Sequence, residues 1–171
     1  MSHQNQKPAE APDQLVLQNP VMRYPSISPP KQDQPEPGLD AELDPPADRG
    51  EHTYRGTGRL EGRKALVTGA DSGIGAAVAI AFAREGADVA LNFLDVEETD
   101  ARTVCNVIED SGRKAVLLPG DVRDADFCAS LPGQAAEALG GLDILENNAG
   151  RQIITESLTE LTDEQLTTTF E

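Results

Sequence analysis

The 171 residues carry 14 basic and 30 acidic side chains, a formal charge of −16 with the histidines neutral, and an acidic surface disfavours nucleic acid and anionic membranes as partners. Ten of the 12 prolines fall within the first 46 residues, which leaves roughly 110 residues, one ordinary domain, to build a core. Cys105, Cys128, His3 and His52 show no metal-ligand spacing. The polar start "MSHQNQKPAE" is unlike a signal peptide, and no apolar run approaches the ~18 residues that span a bilayer. The expectation is a reduced cytoplasmic protein without a membrane anchor or a metal.

Residues 1–57 have no sustained period and too few large apolar side chains to offset the entropy of ordering them. They read as a Pro-rich, disordered or extended arm. Within it "LVLQNPVMRY" and "HTYRG" hold the two tyrosines, Tyr24 and Tyr54, and are the stretches suited to dock on a neighbouring surface; the other reading is a solvated linker.

From about residue 58 to 171 the pattern changes to short apolar runs separated by helical stretches, as parallel strands look when crossover helices bury both faces. Candidate strands are "KALVT", "DVALNF", "KAVLLPG" and "LDILENN". The first crossover, "GIGAAVAIAFAREG", groups Val78, Ala81 and Phe82 on one helical face, with Gly86 placed to end it. In the second, Asp95 and Glu98 have capping-box spacing, and Ala101, Val104, Cys105 and Ile108 form the inward stripe. Pro132 and Gly133 interrupt the third, where a kink or two short helices are expected. Thr162 and Gln165 are spaced to open a fourth helix. The architecture that results is α/β, an incomplete Rossmann-type doubly wound parallel sheet of about four strands in the order 3-2-1-4.

The turn "LVTGADSGIG" falls where a strand hands over to a helix, so unpaired helix N–H groups and the positive dipole end face the crevice above the sheet. An anion is the natural occupant. Gly69 permits the sharp turn, Gly73 lets the backbone approach a ligand, and Gly75 lets the helix lie near the strand, the logic of a dinucleotide site. The spacing is T-G-x-x-x-G-x-G, and no Lys-Ser or Lys-Thr follows the glycines as a nucleoside-triphosphate loop would require.

With "GDV" and "NNAG" following in order, "TGADSGIG" resembles the short-chain dehydrogenase/reductase family over about residues 58–171. The segment "PGLDAELDPPADRGEHTYRGTGRLEGRKALVTG" is similar to the amino-terminal arm of a bacterial, glucose/ribitol-dehydrogenase-like subgroup. By that resemblance Thr68, Gly69, Ser72, Gly73, Ile74 and Gly75 surround a pyrophosphate, Asp121 and Val122 flank the adenine, and Asn147, Asn148, Ala149 and Gly150 support the fourth strand and line the cofactor cleft. The implied activity is hydride transfer between a nicotinamide and a small alcohol or carbonyl substrate, and a complete member is expected to be a homo-oligomer.

Counting about 20 residues from Gly75 reaches Asp95, where a carboxylate would bind the adenine ribose hydroxyls and repel a 2′-phosphate. Asp95 reads equally well as a helix cap. With no arginine or lysine at positions 92–95, NAD is favoured over NADP. The family's acid/base tyrosine and its lysine partner have no counterpart, since no Tyr-x-x-x-Lys occurs in the sequence. No catalytic residue is therefore assigned, and Thr155 and Ser157 read as polar loop residues. The chain is expected to be a truncated member that carries the cofactor-binding half and is inactive alone; the alternative is a non-catalytic dinucleotide-binding module. Its fourth strand is expected to be a bare edge, softened by Glu146.

Overall fold

In the computed structural model the described residues are 17, 19–22, 28–151, 155 and 157–170. Four parallel strands, β1 (Lys64–Thr68), β2 (Asp88–Phe93), β3 (Ala115–Pro119) and β4 (Ile144–Glu146), form one sheet in the order β3-β2-β1-β4. Helices α1 (Gly73–Arg84), α2 (Glu98–Asp110) and α3 (Ala125–Leu139) are the crossovers, and α4 (Asp163–Phe170) follows β4. The expected fold and strand order are those observed.

Two apolar layers hold the sheet. On one face Val67, Val89 and Leu91 pack with Ala76, Ala79 and Ile80 of α1 and with Ala101, Val104 and Ile108 of α2. On the other, Leu66 and Ala90 pack with Leu131, Ala135 and Leu139 of α3. The alternation of β1 between the two clusters is the period of two that side chains follow along a strand, and burial on both faces is why the run reads as uninterrupted apolar sequence. Cys105 is half-buried at the edge of the first cluster, as the stripe on α2 implies.

Four local expectations change. The buried face of α1 is Ala76, Ala79, Ile80 and Ala83, while Val78 and Phe82 are half-buried at its margin; small side chains let a helix backbone approach a sheet closely, and that close approach outweighs side-chain size. The cap before α2 is shifted by one residue, because a 3-10 turn (Asp95–Glu97) precedes it and the Glu97 carboxylate accepts the Leu94 N–H at 3.1 Å. Helix α3 runs unbroken through Pro132. Its apolar stripe, four residues apart, keeps it on the sheet despite the missing N–H, and Asp124 caps it by accepting from the Asp126 and Phe127 N–H groups, each at 3.0 Å. Finally, β4 is shorter than "LDILENN", because the Asn148 and Ala149 N–H groups leave the ladder for the Thr68 hydroxyl, each at 3.0 Å.

Other signals hold. Gly86 ends α1 at φ +104°, and Thr162 and Gln165 form a reciprocal box at 2.9 and 3.1 Å. At the sheet's edge Leu145, paired in register with Leu66, remains 49% exposed.

Residues 28–57 contain no strand or α-helix; they hold a 3-10 turn at Asp40–Glu42 and a hydrogen-bonded turn at 51–53. The stretch "HTYRG" docks, and does so on this same chain. Glu85, at the end of α1, has a side chain only 4% exposed. Its carboxylate accepts from Tyr54 Oη (2.5 Å), Thr57 N (2.9 Å), Arg59 N (3.0 Å) and Arg59 Nη2 (2.5 Å). Arg84 donates back to the Tyr54 and Glu51 carbonyls. Gly56 lies so close that a Cβ would meet the Arg84 carbonyl oxygen at 1.8 Å. The other candidate patch, "LVLQNPVMRY", lies partly outside the described residues, Tyr24 among those outside.

These donors hold the Glu85 carboxyl well below its ordinary 4.5, the Arg59 guanidinium contributing most. A depressed folded-state pKa gives stability that is complete above the unfolded value and is lost as pH falls through the folded one. Thermal melts of the parent and Glu85→Gln are therefore expected to differ most at neutral pH and to converge progressively below about pH 4.5; a gap independent of pH would contradict this role for the carboxylate.

A main-chain anion cradle between the first strand and the first helix

The three glycines occupy three different geometries, and each fits the part its position demands. Gly69 has φ +61°, and an added Cβ would stand 3.0 Å from the Ala149 Cα and 3.1 Å from Asn148 Nδ2. Gly75 would place its Cβ 2.0 Å from the Gly69 carbonyl oxygen, so α1 begins in contact with the end of β1. Gly73, at φ +48°, would meet nothing within 4 Å. The first and third glycines are needed by the protein's own packing, whereas the second faces open space.

That open space lies before the first turn of α1. Ser72 occupies the N-cap position with extended backbone, its side chain makes no capping bond, and no acidic residue sits in the first helical turn. The leading N–H groups therefore keep their donor capacity and their share of the helix dipole. Ile74, 76% exposed, projects from the same turn. An anionic group that can come within hydrogen-bonding distance of bare main chain is what this geometry accepts.

Behind the turn, Thr68 and Asn148 form a lock. The Thr68 hydroxyl accepts the Asn148 and Ala149 N–H groups and donates to the Glu146 carbonyl at 3.3 Å. Asn148 Nδ2 donates to the Thr68 and Gly69 carbonyls at 3.1 and 3.0 Å. Both side chains are thus committed to joining β4 to β1, a supporting role that the sequence suggested for Asn148 but not for Thr68. Asn147, Ala149 and Gly150 are exposed at the carboxyl end of β4.

Toward the opposite edge, Asp95 is exposed just past β2, and among the described residues its carboxylate has no hydrogen-bond partner. The cap that competed for it is made by Glu97. Asp121, past β3, is held by Arg123 at 2.5 Å, which keeps its carboxyl below the ordinary range. Val122 packs into the second core layer. The candidate residues thus gather at the carboxyl ends of all four strands, the edge where open α/β sheets bind ligands.

Some contributors escaped the sequence reading. Asn92, 2% exposed, donates through Nδ2 to the Leu118 and Gly120 carbonyls, each at 3.0 Å, and so fixes the ends of β2 and β3. A lone amide inside "DVALNF" was its signal, since a buried polar group needs partners. Asp71, within the glycine turn, is only 2% exposed. Burial raises its carboxyl above the ordinary range, with Ser72 opposing by hydrogen bond and Asp100 and Asp40 adding to the rise.

Strand order, a glycine turn at the β1–α1 corner and carboxylate-bearing loops beyond β2 and β3 define a doubly wound α/β fold of the Rossmann type. The model of the short chain dehydrogenase family matches residues 63–171, and the chain belongs to that family. An uncharacterized oxidoreductase of Escherichia coli (strain K12), YghA, is 55% identical over 154 residues, covering 90% of this chain and 52% of its own length; the chain spans about half the length of the curated relatives it matches. A short chain dehydrogenase from Burkholderia cenocepacia J2315, solved in complex with NADP, aligns with TM-score 0.61 at 43% identity over 66% of this chain and 45% of that one. Carveol dehydrogenase from Mycobacterium avium, solved with NAD, aligns with TM-score 0.61 at 28% identity over 66% and 44%. No helix among the described residues is long and apolar enough to cross a membrane.

The contrast between Gly73 and Gly75 is testable. Gly75→Ala is expected to lower folding stability by about 1–3 kcal/mol through overpacking and to abolish nucleotide binding. Gly73→Ala, where space is open but φ is positive, is expected to cost only about 1–2 kcal/mol of backbone strain, with the folded protein retained and its NADH dissociation constant raised more than about tenfold, roughly the loss of one charge-assisted hydrogen bond. Thermal melts and NADH titrations of both variants check this.

Proposed function

We propose that the chain binds a nicotinamide dinucleotide at the β1–α1 corner and serves an oxidoreductase that moves hydride between that cofactor and a small alcohol or carbonyl. The observation that carries the reading is the open cradle at Gly73 beside an uncapped helix start. The main-chain N–H groups of Gly73, Ile74 and Gly75 would hold the diphosphate, Asp95 the adenine ribose hydroxyls, and Asp121 and Val122 would border the adenine. Asn147, Ala149 and Gly150 would line the nicotinamide side, with Thr68 and Asn148 as supports. When bound, the nicotinamide would supply the hydride chemistry; the chain's own groups bind and orient it.

No acid/base residue is assigned, because neither tyrosine, Tyr24 nor Tyr54, has a lysine four positions on, and the Tyr54 hydroxyl is engaged by Glu85 and Arg59 far from the cradle. The chain's contribution is accordingly cofactor binding, and turnover by the chain alone is not expected. NAD is favoured over NADP, since Asp95 is free of any capping duty and its charge would repel a 2′-phosphate.

Titration with NADH and NADPH, followed by nicotinamide fluorescence, tests both points. Saturable binding that is tighter for NADH is expected, and Asp95→Ala should bring the two dissociation constants together. Tighter NADPH binding by the parent would overturn the cofactor preference, and no saturable binding of either would overturn the function.

A further inference from the structure

Residues 32–44 of the arm close into a loop beside the cradle. Gln32 Nε2 donates to the Asp44 carbonyl at 2.9 Å and Asp44 N donates to Gln32 Oε1 at 3.0 Å, while Leu39 N donates to Gln34 Oε1 across the interior at 2.6 Å. Two anchors hold it to the domain. The Asp100 carboxylate, in the first turn of α2 and 3% exposed, accepts the Asp40 and Ala41 N–H groups at 2.6 and 3.3 Å, and Arg49 pairs with the Asp40 carboxylate at 3.3 Å. At the other end Glu36 is ion-paired with Arg151, the residue that follows Asn147–Gly150.

Sheet order gives these anchors their meaning. Helix α2 starts beyond β2, Arg151 lies beyond β4, and β1 runs between those two strands. The anchors therefore flank the glycine turn. Five residues, Glu36 to Asp40, bridge them; such a segment reaches about 14 Å, and two strand spacings require roughly 10 Å. Asp71, inside the turn, is almost fully buried and lies within electrostatic range of both Asp40 and Asp100. Gly73 and Ile74 remain open, so the loop flanks the cradle without filling it.

We propose that arm loop 32–44 is a side wall of the dinucleotide crevice, and that its docking and cofactor binding are thermodynamically coupled. The proposal rests on the dinucleotide reading above. A docked loop fixes the turn and excludes water from its Asp71 side, so the ordering that a ligand would otherwise have to impose is already in place. Coupling is reciprocal: if the docked arm raises affinity for the dinucleotide, the dinucleotide raises the occupancy of the docked arm by the same factor.

Trypsin cleavage after the exposed Lys31, quantified by mass spectrometry on the full chain, reads that occupancy, because a protease must draw out Gln32 to Gln34 from the closed loop and so reports the opened population. Saturating NADH is expected to slow cleavage at Lys31 by about fivefold or more, the lower range of such couplings. Asp100→Ala, its fold confirmed by circular dichroism, is expected to speed cleavage without ligand and to raise the NADH dissociation constant, with Asp100→Asn, which keeps an acceptor, restoring part of both. Saturable NADH binding with unchanged Lys31 cleavage would overturn the coupling and leave the dinucleotide site standing. No saturable binding of NADH or NADPH would overturn both.

Discussion

The structure depends on one close approach. At Gly75 the first helix meets the Gly69 carbonyl so tightly that a single methyl group would stand 2.0 Å from its oxygen. Because the helix starts there, its leading N–H groups point over the carboxyl edge of the sheet and have no partner among the described residues. The Asn148 amide fits into the same corner, donating to the carbonyls of Thr68 and Gly69, and carries β4 with it. One packing contact thus sets the position of the anion cradle, the register of the fourth strand and the exposure of Asn147, Ala149 and Gly150.

A second pattern concerns charge. The formal −16 suggests a surface of solvated carboxylates, yet several of them are internal acceptors. Asp124 caps α3, Glu85 gathers the backbone and side chains of Thr57 and Arg59, and Asp100 takes two N–H groups of the arm. Asp124 does so within its own helix start, whereas Glu85 and Asp100 convert a negative charge into a fixed join between segments distant in sequence, a use of ionised acceptors in which the hydrogen bonds are stronger than neutral ones. Carboxylates of the domain tie the arm down at the end of α1 and at the start of α2, and the arm's own Glu36 adds its ion pair with Arg151 beyond β4. Asp71 and Glu97 differ in that burial raises their carboxyls above the ordinary range.

Most of the fold was legible because its signals are local. Apolar runs of five or six residues, the glycine that ends α1 and the Thr162–Gln165 box each depend on neighbours within one element, and all four strands and three crossovers follow from them. What was misread depends on tertiary contact. Val78 and Phe82 look like the core face of α1 by size, but a helix pressed against the sheet at Gly75 buries its alanines. Pro132 looks like a break, but the stripe of Leu131, Ala135 and Leu139 keeps α3 whole. In the candidate site, the spacing of Gly69, Gly73 and Gly75 announced the corner, whereas Thr68 as a lock, Asn92 as a strand tie and Asp100 as an anchor for the arm were hidden, since their partners lie between 26 and 81 residues away.

Amide-resolved NMR of the full chain during an NADH titration tests the central claim most directly. Main-chain recognition at the β1–α1 corner predicts that the N–H signals of Gly73, Ile74 and Gly75 shift most and saturate together, ahead of those in α3 and α4. Shifts confined to other parts of the chain, with these three amides unmoved at saturation, would contradict it.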